Sequence, residues 1–397
     1  MNYEKIWLVV PTYWGDFGTK ENPPCIDFDH PTNPKKSETL TKTLENLVSI
    51  KGNFNLLIIL AVTHREYLKI ANEKVTKIIN NLDTNKKIYL IDEDVINNIS
   101  KFTNKNILKM NSYGNIRNVQ LFTPYLLQGE YIIAIDDDEI IEDTNYIEKV
   151  VNTFEHNKDV KALAGPYFDK SGEYKIKDAE NLKDLDNIFL SKNYYMNKAL
   201  KNEMNHRDNL HKSVVAFGGN MIFTREIIEK VCHDPFIPRG EDYDYTLNAL
   251  MYKIRFYFQK DIPITHLPPN SKENQEESNI RKLKADIKRF IYMNFKIIEF
   301  NKKFKENKID LSILNPYPGA FVKDIDELAN QGKKALIHEY HNLQKEDEID
   351  NFIKETIEIS KTKSKEYFKY REEWIKFIKE SSQSQDIINY LKSLVIN

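Results

Sequence analysis

The sequence predicts an α/β fold in which a mostly parallel sheet carries helices on both faces and a helical C-terminal region follows. From residue 6 to residue 164, short apolar runs alternate with segments of helical spacing. This alternation is typical of βαβ units that build a parallel sheet. After residue 270 the composition changes, and Lys, Glu, Ile, Phe and Tyr recur at helical spacing. We therefore expect a domain over residues 1–270 and a helical region over residues 271–397.

The individual elements follow from the apolar runs and from the spacing of apolar residues. Residues 6–10 predict a first strand that ends at Pro11, and residues 12–36 hold enough Gly, Pro and Asp to form a loop. Residues 171–212 are polar and weakly patterned, so we expect an insertion or a mobile loop. The remaining predicted elements are helices over residues 38–50, 66–82, 115–127, 144–155, 275–305 and 345–395, and strands over residues 54–63, 87–91, 131–135 and 160–164.

Composition restricts the class of protein. Hydrophobic residues make up 41% of the 397 residues, which is enough for a packed core. The formal net charge of −2 argues against a nucleic-acid-binding protein, because such domains are normally strongly basic. No apolar run reaches the ~20 residues that span a bilayer, and the N-terminus does not resemble a signal peptide. With only two cysteines, Cys25 and Cys232, we expect no disulfide framework and a cytoplasmic location.

The run from Tyr131 to Glu139 is the most informative local feature. Its apolar residues predict a buried strand, and Asp136, Asp137 and Asp138 follow where that strand ends. Like charges packed this closely repel one another unless a cation lies among them, and a divalent ion bound to a diphosphate supplies that charge. Ligands of open α/β sheets also bind beyond the carboxyl ends of strands. The alternative is an acidic loop exposed to solvent after an edge strand.

Successive side chains of an extended segment point to opposite sides, so these acidic residues are expected to have different roles. Every second side chain points the same way, so Asp136 and Asp138 are expected to face one ligand while Asp137 points elsewhere. We place Asp138 on the metal ion and Asp136 on the metal ion or on the ribose of a nucleotide. Glu139 is expected to be peripheral.

Two glycine-containing motifs come later in the chain. In Gly218-Gly219-Asn220 the paired glycines would let the backbone approach a ligand, and Asn220 would bond a hydroxyl; the alternative is a tight turn before a strand. Glu241 and Asp242 follow Gly240 at the start of a predicted helix. One of these carboxylates would act as a general base, while the alternative is a favourable interaction with the helix dipole.

Three further positions carry possible ligand contacts. His266 follows a strand-like run, and a neutral imidazole is a common metal ligand, although a single histidine there is more often structural. Arg117 lies at the start of a predicted helix, where its donors and the helix N-terminus both favour phosphate; the alternative is an ordinary surface arginine. Tyr13, in Pro11-Thr12-Tyr13, would stack on a base or belong to the core.

The order of these motifs resembles that of nucleotide-sugar glycosyltransferases of the GT-A (Rossmann-like) fold, especially family 2, over about residues 5–268. Asp136 and Asp138 match the Asp-x-Asp motif, whose last aspartate holds Mn²⁺ or Mg²⁺ against the donor diphosphate. His266 matches a histidine that completes the metal site in some members. The resemblance assigns donor or nucleotide binding to Pro11, Thr12, Tyr13, Arg117, Asp136 and Asp137.

The resemblance also implies an acceptor side. Gly219 and Asn220 match the turn that lines it, and Asp242 matches the base of inverting members, with Glu241 beside it. The implied enzyme is a hexosyltransferase of glycan or polysaccharide synthesis that needs Mn²⁺ or Mg²⁺. It would move a sugar from a UDP- or GDP-sugar to a hydroxyl of a saccharide or other acceptor, with inversion.

Two other functions compete with this one. A sugar nucleotidylyltransferase would normally show a Gly-rich, basic loop after the first strand, whereas Gly15, Gly18 and Lys20 are scattered here. A non-catalytic scaffold would act through the helical tail instead. The Tyr, Phe and Lys content of the tail also allows peripheral membrane contact, and the sequence leaves a homo-oligomer open.

Overall fold

The structure is a computed structural model. It describes residues 5–18, 24, 28, 31–35, 39–177, 179–182, 186–267, 275–306, 308–340 and 345–396, and the side chains of residues 275–277 are outside this description. Cys25, Lys20 and the predicted boundary between residues 270 and 271 lie outside the described residues. Cys232 is buried and is a free thiol.

Eight strands form the main sheet, and three short strands form a second one. The strands of the main sheet are β1 (Ile6–Trp14), β2 (Asn55–Val62), β3 (Ile88–Ile91), β4 (Tyr131–Ala134), β6 (Ala162–Ala164), β8 (Leu210–Ser213), β9 (Met221–Thr224) and β10 (Phe256–Gln259). Their order in space is β3-β2-β1-β4-β9-β6-β10-β8, and only β9 and β8 run against the other six. The second sheet holds β5 (Glu139–Ile140), β11 (Ile264–His266) and β7 (Tyr167–Phe168), in that order.

Helices connect the strands and follow them. The first eight are α1 (Leu40–Ser49), α2 (Leu68–Asn80), α3 (Glu93–Thr103), α4 (Tyr113–Leu126), α5 (Tyr146–His156), α6 (Lys192–Met204), α7 (Arg225–Ile228) and α8 (Glu241–Met251). The C-terminal region holds α9 (Gln275–Lys303), α10 (Ile325–Tyr340), α11 (Glu346–Ser381) and α12 (Gln385–Lys392). The predicted α/β class with a helical C-terminal region is therefore confirmed.

Alternation along β1 shows that both faces of the sheet are covered. Trp7 and Val9 are buried in one hydrophobic core, together with residues of α3, α4 and α8. Leu8 and Val10 point the other way, into a second core with residues of α1, α2 and α5. A strand buried on both faces reads as a continuous apolar run, which is why β1 and β2 were recognisable in the sequence.

The C-terminal helices extend the first of these cores. Phe290 of α9, Leu336 of α10 and Trp374 of α11 are buried in the same cluster as Trp7 and Val9. The helical region therefore shares its hydrophobic core with the sheet. No helix in the described part of the chain combines the length and apolarity needed to cross a membrane.

Besides elements that were not predicted, such as α3 and α10, two segments differ from the prediction. β1 continues past Pro11 to Trp14, because its pairing with β4 ends at Val9 and Pro11 then has only β2 as a hydrogen-bonded neighbour. The segment 171–212 is not simply a loop, since it contains α6 and the first three residues of β8, the edge strand of the main sheet. Its polar composition concealed both elements, because an edge strand and an outer helix bury few side chains.

Candidate active site

The acidic run lies beyond the carboxyl end of β4, and its three aspartates have different hydrogen-bond partners. Asp136 accepts a hydrogen bond of 2.7 Å from the Arg117 guanidinium, and Asp138 lies 3.0 Å from Nε2 of His266. Asp137 accepts a hydrogen bond from the Thr12 hydroxyl. The three aspartates thus have different partners, but all three line one cavity, so the expected division between the outer aspartates and Asp137 stays a prediction.

The second sheet brings His266 to the acidic run. His266 in β11 is the antiparallel partner of Glu139 in β5, and the Leu267 amide donates a hydrogen bond of 2.6 Å to the Asp138 carbonyl. Backbone pairing thus fixes the imidazole beside the Asp138 carboxylate. Burial lowers the pKa of His266, but the hydrogen bond with Asp138 and the charges of Asp138 and Asp136 raise it above its ordinary value.

Glu139 is central, and the expectation that it is peripheral was wrong. Its side chain is buried and accepts a 2.7 Å hydrogen bond from the Asp136 amide. Burial and the charges of Asp136 and Asp138 raise the pKa of Glu139. A Cβ atom at Gly219 would lie 1.9 Å from the Glu139 carboxylate, so the glycine permits this close approach. Sequence spacing missed Glu139 because its burial depends on the turn at Gly219.

Arg117 is a buried cation of the site and connects its two acidic segments. Its guanidinium contacts Asp136, Glu241 at 3.2 Å and Gln120 at 3.3 Å. Burial would lower the pKa of Arg117, but the charges of Asp136, Tyr13 and Glu241 hold it well above the ordinary value. The alternative of an ordinary surface arginine is therefore excluded, and its bonds go to carboxylates of this chain.

The start of α8 gives Glu241 and Asp242 different surroundings. Gly240 has a φ of +70°, and a Cβ there would meet the Arg289 guanidinium at 1.9 Å, so the turn before the helix requires glycine. Glu241 is buried against Arg117, and burial raises its pKa to about 7. Burial also raises the pKa of Asp242, although the Tyr243 amide and the charge of Arg289 oppose the shift.

A cavity of about 300 Å³ opens beside these residues. Asp136, Asp138 and Asp242 all line it. Its aromatic part includes Tyr13 and Tyr113, whose ring centroids lie 5.3 Å apart. A neighbouring cavity shares Asp136 and Asp242 with the first. The volume suits a small-molecule ligand, and the carboxylates and aromatic rings give it polar and stacking contacts.

Not every residue of the predicted donor and acceptor segments reaches the cavity. Pro11 and Thr12 are buried, and Thr12 receives a 2.8 Å hydrogen bond from Trp14, so only Tyr13 of that segment lines the cavity. Asn220 is also fully buried. Its oxygen accepts from the Tyr146 hydroxyl, and its nitrogen donates to the carbonyls of residues 166 and 262. Asn220 therefore holds three chain segments together, and Gly219 lines the neighbouring cavity.

The donor set fits a hard divalent ion. Among the described residues no group of three or more His, Cys, Asp and Glu side chains is arranged to hold a metal by itself. Mg²⁺ typically takes one or two carboxylates from the protein and completes its shell with water and substrate phosphates. The Asp138 carboxylate, with Nε2 of His266 3.0 Å away, supplies at most such a partial set. Burial first, and then the charges of the neighbouring aspartates, raise the pKa of both Asp137 and Glu139.

Replacement of Glu241 by Gln is expected to remove a pH dependence of stability. The folded protein holds the Glu241 proton up to about pH 7, whereas the unfolded chain releases it near 4.5. Stability from this proton is present below pH 4.5 and is lost as the pH rises towards 7. In urea unfolding, the free energy of unfolding of wild type should fall by up to ~1.4 kcal/mol per pH unit relative to that of Glu241→Gln in that window. Parallel curves would contradict the assignment; Glu142→Gln, at an exposed glutamate, is the control.

Sequence reasoning gave no role to several residues that line the cavity. Tyr113, Lys192, Arg239, Arg289 and Tyr317 lie on its wall. Tyr113 and Arg239 adjoin motifs that were recognised, so proximity in the chain was a usable signal. Lys192, Arg289 and Tyr317 belong to segments with no recognisable motif, and only the packing of α6, α9 and the segment between α9 and α10 brings them to the site.

No family model matches the sequence, and no curated protein matches it. The chain is similar to the solved structure of a mannosyltransferase, PcManGT, from Pyrobaculum calidifontis in complex with GDP-Man and Mn²⁺: 10% identity over 99% of this chain and 87% of that one, with a TM-score of 0.43. It is similar to GalNAc-T7 with UDP, GalNAc and Mn²⁺, at 10% identity over 80% of this chain and 58% of that one, TM-score 0.43.

A third similar structure is glucosyl-3-phosphoglycerate synthase from Mycobacterium tuberculosis in complex with phosphoglyceric acid. The identity is 9% over 72% of this chain and 80% of that one, and the TM-score is 0.38. Similarity at this distance does not decide the activity of this chain, which has to follow from its own residues.

Proposed function

We propose that the chain is a metal-dependent glycosyltransferase that moves a hexosyl group from a UDP- or GDP-sugar to an acceptor hydroxyl with inversion. The observation that supports this most is one cavity lined both by Asp138, which is paired with His266, and by Asp242. A metal-binding carboxylate and a separate carboxylate of raised pKa in one cavity are what such a transfer needs.

Each group in the cavity has a distinct task in the proposed reaction. Asp138, Asp136 and His266 would hold Mn²⁺ or Mg²⁺. When bound, the ion supplies positive charge that stabilises the charge developing on the leaving diphosphate. Tyr13 and Tyr113 would form the wall on which the nucleobase stacks. Arg117 keeps Asp136 in place through the hydrogen bond between their side chains.

Asp242 is the proposed base. The acceptor hydroxyl gives its proton to the Asp242 carboxylate while its oxygen forms a bond to the anomeric carbon. The bond from that carbon to the diphosphate oxygen breaks, and its electron pair leaves with the diphosphate. Burial raises the pKa of Asp242, which makes the carboxylate a stronger base than a solvated aspartate. Glu241 is held by Arg117 and positions the start of the helix that carries Asp242.

Replacement of Asp138 by Ala is expected to abolish metal-dependent binding of the nucleoside diphosphate. A ligand that binds only the folded state raises the unfolding temperature by mass action. UDP or GDP with Mn²⁺ should therefore raise the unfolding temperature of wild type and leave that of Asp138→Ala unchanged. Glu142→Ala, at an exposed carboxylate four positions further along the chain, is the matched control and should respond like wild type.

The same measurement can reject the proposal. If Asp138→Ala keeps the full metal-dependent shift, the metal site is elsewhere. If neither nucleotide shifts wild type in the presence of Mn²⁺ or Mg²⁺, the chain does not bind a nucleotide-sugar donor and the proposed function fails.

A further inference from the structure

Three cations line the same cavity and have no task in the reaction as proposed. Lys192 comes from α6, Arg239 from the loop before α8, and Arg289 from α9. We call Lys192, Arg239 and Arg289 the cationic wall. Their separation in the chain means that the fold, and not a local run of basic residues, assembles this positive charge.

One buried carboxylate, Asp286, joins the three cations. Nζ of Lys192 lies 2.5 Å from Asp286, and nitrogens of Arg239 and Arg289 each lie 3.9 Å from it. Burial would raise the pKa of Asp286, but Lys192, Arg289 and Arg239 together hold it below its ordinary value. Among the described residues, Asp286 is thus a carboxylate that all three cations share.

Two of the three cations are largely shielded from water. The Lys192 side chain is 19% exposed and that of Arg289 is 9% exposed. Burial lowers the pKa of Lys192; Asp286 opposes this shift, and the charges of Arg239 and Arg289 reinforce it. A further anion at the wall would relieve this repulsion.

Arg289 places the wall on the Asp242 side of the cavity. Its guanidinium packs against Gly240, two residues before Asp242. The carboxylates whose charges act on Arg289 are Asp286 and Asp242. An anion held at the wall would therefore lie next to the proposed base, where the acceptor hydroxyl has to be.

We propose that the cationic wall binds an anionic group, a phosphate or a carboxylate, that the acceptor carries near the hydroxyl to be glycosylated. This inference rests on the proposed function, because it takes Asp242 as the base beside that hydroxyl. Arginine presents a planar fork of donors that matches phosphate and carboxylate oxygens, and lysine adds a point charge. The acceptor is then selected by its charge as well as by its hydroxyl.

The test measures anion binding while the donor side is occupied. Full-length protein is saturated with UDP or GDP and Mn²⁺, and inorganic phosphate or acetate is titrated by calorimetry at constant ionic strength. We expect saturable binding that Lys192→Gln and Arg239→Gln each weaken by roughly ten-fold or more. Binding of phosphate alone would indicate a phosphate-bearing acceptor, and binding of acetate alone a carboxylate-bearing one. Lys198→Gln, exposed on the same helix, should bind like wild type.

Thermal unfolding first checks that each variant folds. If Lys192→Gln does not fold, Lys192→Arg is used instead, because it keeps the positive charge. Lys192→Arg should retain anion binding.

Three results would overturn the inference. The first is that wild type loaded with nucleotide shows no saturable binding of either anion. The second is that Lys198→Gln loses as much affinity for the anion as Lys192→Gln. The third is that phosphate competes with UDP or GDP, and that Lys192→Gln and Arg239→Gln weaken binding of the nucleotide. The wall would then belong to the donor site. Failure of both nucleotides to bind is a different result, because it rejects the proposed function itself.

Discussion

Replacement of Asp242 by Asn is expected to lower the rate of sugar transfer by about 10²–10⁴-fold, the usual contribution of a general base. Asn has nearly the same shape but cannot accept the proton of the attacking hydroxyl. Binding of UDP or GDP with Mn²⁺ should remain, because Asp138 and His266 are unchanged. The measurement is the turnover of a nucleotide sugar with an acceptor, together with the nucleotide-dependent shift in unfolding temperature.

A matched control separates chemistry from helix stability. Asp242 lies in the first turn of α8, where a carboxylate also interacts with the helix dipole. Asp386 lies in the first turn of α12 and is exposed, so Asp386→Asn should keep full transfer activity. An Asp242→Asn protein that transfers sugar at the wild-type rate would show that another group takes the proton.

Replacement of Lys296 by Met is expected to destabilise the protein by about 3–5 kcal/mol, the usual cost of leaving buried carboxylates without their cation. The Lys296 side chain is fully buried in α9. Its ammonium group donates to Asp244 of α8 and lies 3.0 Å from Asp234. Burial raises the pKa of Asp244 to about 6, although the charge of Lys296 lowers it. Urea unfolding at neutral pH measures the loss.

Two further variants test whether the cause is unpaired charge. The triple variant Lys296→Met/Asp234→Asn/Asp244→Asn removes the charges together and should recover most of the loss, because a buried ion pair is often no more stable than neutral groups of the same shape. Lys288→Met changes an exposed lysine of the same helix and should cost little. A Lys296→Met protein as stable as wild type would show that this network does not hold α9 against α8.

This network connects the C-terminal helices with the site. Asp244 is two residues after Asp242 on α8. A Cβ atom on Gly114 of α4 would lie only 2.1 Å from the backbone carbonyl oxygen of Asp234, so Asp234 packs closely against α4. The helix that carries the proposed base is thus fixed by a cation from α9. The helical tail therefore supports the site and supplies Arg289 to its wall.

The alternation of apolar runs and helical segments was enough to predict the α/β class, because both elements bury side chains at regular intervals. The acidic run, Arg117, Asp242 and His266 were also recognisable from residue type and position. The C-terminal end of β1 could not be predicted, because a proline is tolerated within a strand only where a neighbouring strand has stopped pairing, as β4 has at Pro11. The polar segment 171–212 concealed α6 for a related reason, since its packing is with distant parts of the chain.

By itself the sequence determined the α/β class and the helical character of the C-terminal region, and it placed an acidic run at the end of a buried strand. Spacing reports such features because they depend on neighbours within a few residues. Only the tertiary structure decided that Glu139 is buried, that Asn220 is structural, and that Lys192 meets Asp286 across 94 positions. Those outcomes depend on which charges and which backbone segments share a desolvated space, and residue spacing carries no record of contacts between segments so far apart in the chain.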